Sequence, residues 1–291
     1  MPTLPRSPHK KSCSPQVALR FACAPGGHTF LAEQFVTYPF FLTTPFTLDR
    51  CPASLVTVML QSVSGGIYER DQLGLSFVAE ENAQVHLTTQ SATIVHAMAE
   101  KRDAQQQVSI NAAAGSLVEY LPDPLVLFPG AKLRTSLQVV AAEEATVMIG
   151  ETFVLHAPDN TSNSTFPSLY SELMVRHPTG RLLCVDRNTF PPRDGMVSSS
   201  GVLQHSKAFG TFWLLSSAVP TEFLTTLQEA WNAIPGLYGG SSLLPNHAGV
   251  WGRCLAADTI ALERAFQAAW MLARRSVTGQ MPTRQRKSLW Y

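Results

Sequence analysis

The chain has 291 residues, of which 45% are hydrophobic and 15% charged, and its formal net charge is +1. This length can bury a substantial core in one large domain or two, while the near-neutral charge gives the whole chain no nucleic-acid signature. No apolar run is long enough to cross a bilayer. The low charged fraction is typical of a surface covered by partner proteins, or of one rich in Ser and Thr.

The cysteine pattern and the N-terminal segment indicate a reducing compartment. Five cysteines are widely scattered without a Cys-x-x-Cys pair, which argues against a disulfide framework. Residues 1–15 contain four prolines and several basic residues, but no apolar stretch typical of a secretory signal. We expect this segment to be disordered and the protein to be cytoplasmic.

From about residue 16 to 219 the dominant pattern is that of β-strands, and part of it repeats. Three segments share the order strand, short turn, strand: Leu73–Gln90, Gln107–Tyr120 and Arg134–Ile149. Their turns end at Ala83, Gly115 and Ala145, which lie 32 and 30 residues apart. Such a repeat predicts stacked β-strand layers, as in a β-helix or solenoid. The alternative is three unrelated hairpins in an ordinary β-sandwich.

The segment Leu87–Met98 places Thr, Gln, Ser and His side chains in what is otherwise a core-strand pattern. Buried hydroxyls and amides need partners, so the segment predicts a polar network or a lined passage. The candidate lining residues are Thr88, Thr89, Gln90 and Thr93. No nucleophile with a base accompanies them, which favours a binding or conducting surface over a reaction centre.

Two histidines near this segment are candidate metal ligands. In an alternating strand His86 shares a face with Thr88 and Gln90, and His96 would join that face if the strand continued unbroken. Imidazole suits nickel and its neighbours. The alternative for each histidine is an ordinary core or surface position with its hydrogen bonds satisfied.

Three carboxylates also stand out. Asp71 follows the Gly65-Gly66 turn and either caps that turn or takes part in a site. Glu119 lies in an apolar strand, where it faces solvent or is buried with a cation or several donors. Asp123 lies between two prolines and shapes the loop that leaves this strand. With the four lining residues above, Asp71, Glu119 and Asp123 complete a set of seven predicted passage or binding residues.

Near residue 220 the pattern becomes helical. Pro220 and Glu222 begin a first helix, which Pro235-Gly236 ends, and a loop containing Gly239-Gly240 follows to about Asn246. A second helix is predicted from about Asp258 to Arg275, with Asp258 or Thr259 as its N-cap. The basic residues of this end complement the helix dipole or dock to an acidic partner; they are Arg264, Arg274, Arg275, Arg284, Arg286 and Lys287.

Three ordered blocks resemble the UreD (UreH) family of urease accessory proteins. They are Leu60–Tyr68 with Asp71 and Leu73, then Leu87–His96, then Gly115–Pro122 with Leu127–Ala131. Asp71 and Glu119 match the family pattern residue for residue. Ile94 and His96 replace its usual lysine and tyrosine, and Asp123-Pro124 replaces a common Gln-Glu.

The resemblance implies a mainly β stack of strands with two helices, in a single UreD-like domain over residues 16–291. It also implies a non-enzymatic scaffold that joins UreF-like and UreG-like accessory proteins on the urease apoprotein. Nickel would reach the urease site through a polar internal passage, with no permanently bound cofactor, no nucleic acid and no membrane.

Two other functions compete with this one. A carbohydrate-active stacked-β enzyme could use Asp71 and Glu119 as its acid/base pair, which requires carboxyl groups about 5–10 Å apart in an open groove. The basic tail could instead be a nucleic-acid-binding arm, with salt-sensitive affinity.

Overall fold

The computed structural model describes residues 14–49, 52, 54–99, 102–156, 168–190, 203, 206–220 and 222–283. Its strands are β1 (Val17–Cys23), β2 (Thr29–Val36), β3 (Phe40–Leu42), β4 (Leu55–Ser62), β5 (Gln72–Ala79), β6 (Gln84–Thr89), β7 (Thr93–Val95), β8 (Ala104–Ala112), β9 (Leu117–Tyr120), β10 (Leu125–Leu127), β11 (Lys132–Ala141), β12 (Thr146–Leu155), β13 (Ser168–Arg176), β14 (Leu182–Phe190), β15 (Ala208–Leu215), β16 (Leu237–Leu243) and β17 (Gly249–Ala256). The helices are α1 (Phe223–Asn232) and α2 (Thr259–Thr278), and a 3-10 helix covers Pro245–His247.

The strands form two facing sheets. Sheet A has the order β14-β13-β11-β8-β5-β1-β2. Sheet B has the order β16-β17-β15-β12-β9-β6-β4-β3, and β10 joins it by pairing with β7 and β12. Apolar residues between the sheets form the main core, and a second core lies between sheet B and the two helices.

The middle of both sheets is built by a repeating coil. Strands β5, β8 and β11 are parallel neighbours in sheet A, and β6, β9 and β12 are parallel neighbours in sheet B. Each short turn carries the chain from one sheet to the other, so Ala79, Ala112 and Ala141 lie side by side where the turns begin. The predicted stack of β layers is confirmed as a β-solenoid of about three coils. The hairpin alternative is wrong, because the strands flanking each turn lie in different sheets.

Both predicted helices are present, with shifted ends. The first begins at Phe223 and buries Leu227 and Trp231 against sheet B. The second begins at Thr259, where Asp258 is the N-cap and accepts a 2.8 Å hydrogen bond from the main-chain N–H of Ala261.

The loop predicted around Gly239 and Gly240 is wrong, because both residues lie in strand β16. A Cβ atom on Gly239 would lie 2.8 Å from the Trp231 ring. The absence of a side chain at Gly239 therefore allows the Trp231 ring of α1 to pack against β16. The sequence pattern alone indicates a loop at this glycine pair.

Two terminal predictions lie outside the described residues: disorder over residues 1–13, and the basic tail from Arg284 to Lys287. Neither α1 nor α2 is long and apolar enough to cross a membrane, and the same holds for every described helix.

Candidate functional site

The polar segment does not form one long strand. Strand β6 ends at Thr89, the chain turns a corner at Gln90–Ala92, and β7 begins at Thr93. One coil later, β9 and β10 are separated by a similar corner at residues 121–124. The two corners stack: Thr88 Oγ1 donates to Leu121 O at 2.9 Å, and the N–H of Asp123 donates to Thr89 Oγ1 at 2.8 Å. The predicted polar network is therefore present, but it lies at a break in sheet B.

An interior cavity of about 230 Å³ opens at these corners. Residues of both sheets line it, so it lies between them within the solenoid. Five of the seven predicted passage residues contribute to the lining: Thr88, Thr89, Gln90, Thr93 and Asp123. The structure thus brings together residues that sequence reasoning selected from two separate blocks.

Glu151 is the acidic residue of this cavity that sequence reasoning missed. Its side chain points from β12 into the interior and is 8% exposed. Thr135 Oγ1 donates to the carboxyl group at 2.6 Å, and the Ser171 hydroxyl donates to its other oxygen. Burial raises the pKa of Glu151, and these two hydrogen bonds only partly oppose that effect. A charged residue inside the apolar run Met148–Phe153 was the signal that could have identified it.

A second cavity, of about 410 Å³, lies on the outer face of sheet B beneath α2. We call it the outer groove. It shares the lining residues Thr88, Gln90, Asp123 and Thr152 with the interior cavity. The two spaces therefore lie on the two sides of the break in sheet B, and these polar side chains separate them there.

Glu119 lies at the centre of a buried charged cluster that joins sheet B to α2. Its side chain has no exposed surface, and it accepts hydrogen bonds from His86 Nδ1 at 2.7 Å and Trp270 Nε1 at 2.9 Å. Arg274 donates to both carboxylate oxygens, at 2.5 and 2.6 Å, and to Asp49 at 3.1 Å. Burial alone would raise the pKa of Glu119, but hydrogen bonds from Arg274 and His86 outweigh it and hold the pKa at about 2.

This cluster corrects the prediction for Arg274. The sequence placed it as a cation complementing the C-terminal dipole of α2, whereas its side chain is fully buried and paired with Glu119 and Asp49. The sequence allowed Glu119 either to face solvent or to be buried with a cation or several donors, and the cluster shows that it is buried. The residue faces α2, and its carboxylate is a structural anchor.

Asp71 and His96 support the Gly65-Gly66 turn. The Asp71 carboxylate accepts a 2.8 Å hydrogen bond from the N–H of Tyr68, so it caps that turn. His96 Nε2 donates to Gly65 O at 3.2 Å, and its ring stacks on Tyr68 with the ring centroids 4.3 Å apart. A Cβ on Gly66 would lie 2.5 Å from the Ile94 carbonyl. Since this turn lines the interior cavity, both side chains shape its mouth.

The two candidate metal ligands occupy different places. His86 lies under α2 against Glu119, whereas His96 lies beyond the corner beside the Gly65-Gly66 turn. They would share a face only in an unbroken strand, and the corner at Gln90–Ala92 breaks it. Within the described residues, no group of three or more His, Cys, Asp or Glu side chains is arranged to hold a metal ion.

The structure also excludes the proposed sugar-cleaving pair. Glu119 is enclosed and bound by three side chains, while Asp71 bonds the main chain of its own turn. An acid/base pair must face an open groove that holds the substrate, and Glu119 does not.

Comparison with known proteins identifies the family. The family model for the UreD urease accessory protein matches residues 14–289. The chain is 36% identical over 271 residues to urease accessory protein UreD 1 of Pseudomonas syringae pv. syringae, covering 92% of this chain and 94% of that protein. It is 35% identical over 264 residues to urease accessory protein UreD 1 of a Bradyrhizobium species, covering 90% and 91%. The chain therefore belongs to the UreD family of urease accessory proteins.

Proposed function

We propose that this chain is a non-enzymatic, cytoplasmic scaffold that holds UreF-like and UreG-like accessory proteins on the urease apoprotein and passes nickel to it. The observation that carries the proposal is the group of polar side chains shared by the two cavities at the break in sheet B, in a protein whose core is apolar. In this proposal the two cavities form the route for nickel. Family membership supplies the context of urease maturation. Nickel is the cargo of this scaffold, and no permanently bound cofactor is part of the proposal.

The chemistry of the route suits a passing cation. Hydroxyl and amide oxygens of Thr88, Thr89 and Gln90 can hydrogen-bond the water shell of a divalent ion without replacing it. Carboxylates supply the charge that offsets burial of the ion, and here they are Asp123 at the corner and Glu151 in the interior. A closed cage of thiolates or imidazoles would hold nickel too firmly for transfer, so a sparse oxygen lining favours passage.

The protonation of Glu151 couples to this transfer. Burial raises its pKa, so the carboxyl keeps a proton to a higher pH than an exposed glutamate does. A carboxyl group that balances the charge of a cation must be deprotonated, so protons and nickel compete at Glu151. We expect transfer through this route to weaken as the pH falls.

The central test is reconstitution of urease with and without this chain. Urease subunits and the other accessory proteins are co-expressed, and nickel-dependent urease activity is measured. Omitting the chain should abolish activation, and unchanged activity would refute the proposal. A pull-down with the UreF-like protein, with bound nickel measured on the same sample, tests the scaffold role separately.

Variants of the lining test the route itself. Glu151→Gln and Thr88→Leu should lower urease activation several-fold while the pull-down of partners stays normal. Glu33→Gln is the control, because Glu33 is exposed on the edge strand β2 of sheet A and lines neither the interior cavity nor the outer groove. Full urease activation by a folded Thr88→Leu protein would show that the segment Leu87–Met98 only packs in the core and does not line a nickel route.

A further inference from the structure

The two sheets have four edge strands among the described residues, and three of them are protected against pairing with another chain. Strand β14 contains Asp186 and Arg187, and its pairing with β13 contains a register shift. Strand β2 contains Glu33, and its pairing with β1 also contains a shift. Strand β3 has only three residues and follows Pro39. Charges, irregular pairing, short length and proline are the devices by which proteins protect sheet edges.

The fourth edge, β16, has none of these devices. Its sequence, Leu-Tyr-Gly-Gly-Ser-Ser-Leu, contains no charge and no proline, and it pairs with β17 over seven residues without a shift. Tyr238 is 79% exposed and Leu243 is 68% exposed, so two large side chains of this edge face solvent. An edge of this length and composition is a template for a further strand.

The main-chain groups of β16 point in known directions. The flanking bonds from Leu244 N to Gly249 O and from Ala257 N to Gly236 O show that the even-numbered residues bond β17. The odd-numbered residues therefore direct their N–H and C=O groups outward. The Gln228 side chain donates to Gly239 O at 3.1 Å, which agrees with this direction. A strand that pairs here must displace or share this exchangeable side-chain hydrogen bond, since the carbonyl has a second lone pair.

We propose that β16 pairs with β16 of a second copy of this chain, antiparallel about a two-fold axis at Gly240. This register places Leu237 opposite Leu243, Tyr238 opposite Ser242 and Gly239 opposite Ser241, so each large side chain meets a small or apolar one. The strand carries no charge, so two identical copies do not repel each other. A two-fold axis requires such a self-complementary surface.

Tyr238 gives the pairing its apolar contact. Its exposed ring lies diagonal to Gly240 of the second strand, and aromatic side chains cover glycines in neighbouring strands in this way. The pair Gly240–Gly240 on the axis is a position without mutual main-chain hydrogen bonds, where side chains approach most closely. A charged side chain introduced at Gly240 would therefore lie opposite the same charge on the second chain.

Gly240 is also the position where substitution least disturbs the single chain. A Cβ atom built on it meets nothing within 4 Å, and its φ is not in the left-handed region. Gly240→Lys and Gly240→Asp are therefore the test variants. Gly26→Lys is the matched control, because it adds the same charge at an exposed turn with only ordinary contacts.

The experiment measures the mass of the purified full chain in solution by light scattering and sedimentation equilibrium. We expect wild type and Gly26→Lys to have about twice the 31.8 kDa of one chain. Each Gly240 variant should dimerise about tenfold more weakly or worse, because like charges oppose each other, and mixing the two variants should restore the dimer. Circular dichroism verifies that each variant is folded.

Three results would overturn the proposal: a monomeric wild type, single variants that remain dimers, or a mixture that stays monomeric. None of these measurements involves urease or nickel. The outcome is therefore independent of the proposed function.

Discussion

At the residue scale, two buried glutamates in neighbouring parallel strands have opposite protonation behaviour. Glu119 accepts hydrogen bonds from a guanidinium, an imidazole and an indole, whereas hydroxyl groups are the donors to Glu151. Desolvation acts on both, but only Glu119 has a cation that outweighs it. Glu119 is therefore held as a buried carboxylate, whereas Glu151 keeps a proton to a higher pH than an exposed glutamate does.

We predict that Glu119→Gln destabilises the protein by about 3 kcal/mol, because removing one partner of a buried ion pair leaves the other charge buried and incompletely compensated. Arg274, which has no exposed surface, would keep only Asp49 as its counter-ion. Chemical unfolding at neutral pH measures this loss. The control is Glu33→Gln, which breaks an exposed pair with Arg20 and should change stability little. Equal effects of the two variants would contradict the anchor role.

Glu151→Gln should have a pH-dependent effect on stability. A raised pKa means that the folded state keeps this proton above pH 4.5 while the unfolded state has lost it, so wild type loses stability as the pH rises through that window. The Gln variant lacks this loss. The difference in unfolding free energy, variant minus wild type, should therefore increase from pH 4.5 upward. A difference that does not change with pH would show that Glu151 is ionised throughout.

At the scale of elements, the corners of the coils decide where the solenoid opens. Strand β12 runs without a break from Thr146 to Leu155, while the two coils before it interrupt sheet B at residues 90–92 and 121–124. The Gly65-Gly66 turn lies on the same side of the solenoid, and the side chains of His96 and Asp71 hydrogen-bond to its main chain. The opening is therefore a built feature of three successive coils.

The variant Gly66→Ala tests this corner. The new Cβ would meet the Ile94 carbonyl at 2.5 Å, and φ is +141°, so we expect a loss of about 1–3 kcal/mol. Gly27→Ala is the control, since Gly27 has a φ of +83° but open space around it. Thermal unfolding measures the stability of both variants. A larger loss of stability for Gly27→Ala than for Gly66→Ala would mean that the main chain around Gly66 shifts to accept a side chain.

At the scale of the whole molecule, helix α2 lies across the break in sheet B and forms one wall of the outer groove. The Glu119 cluster fixes the helix there through Trp270 and Arg274. The ring of Phe266 rests against Gly150 and Gly210, and a Cβ atom would lie 3.2 Å from it at Gly150 and 2.7 Å from it at Gly210. The outer groove thus depends on a helix that follows the solenoid in sequence.

We predict that a chelator leaves the melting temperature of the purified chain unchanged. The buried carboxylates Glu119 and Glu151 already have protein donors, so folding has no need of metal at these positions. Thermal scans with and without the chelator measure this, and a clear drop in melting temperature would identify a structural metal and contradict the view of nickel as cargo.

The sequence by itself determined the strand-rich solenoid, its repeat, the two helices and the polar segment, because these depend on local patterns of apolar residues and turns. It also selected five residues of the cavity lining, since polar groups in a core strand are a local signal. Only the tertiary structure decided that Glu119 is an anchor, because Arg274 lies 155 residues further along the chain. It alone placed the corner beside Glu151, because the repeat predicts that coils stack but does not specify which side chains of successive coils lie next to each other.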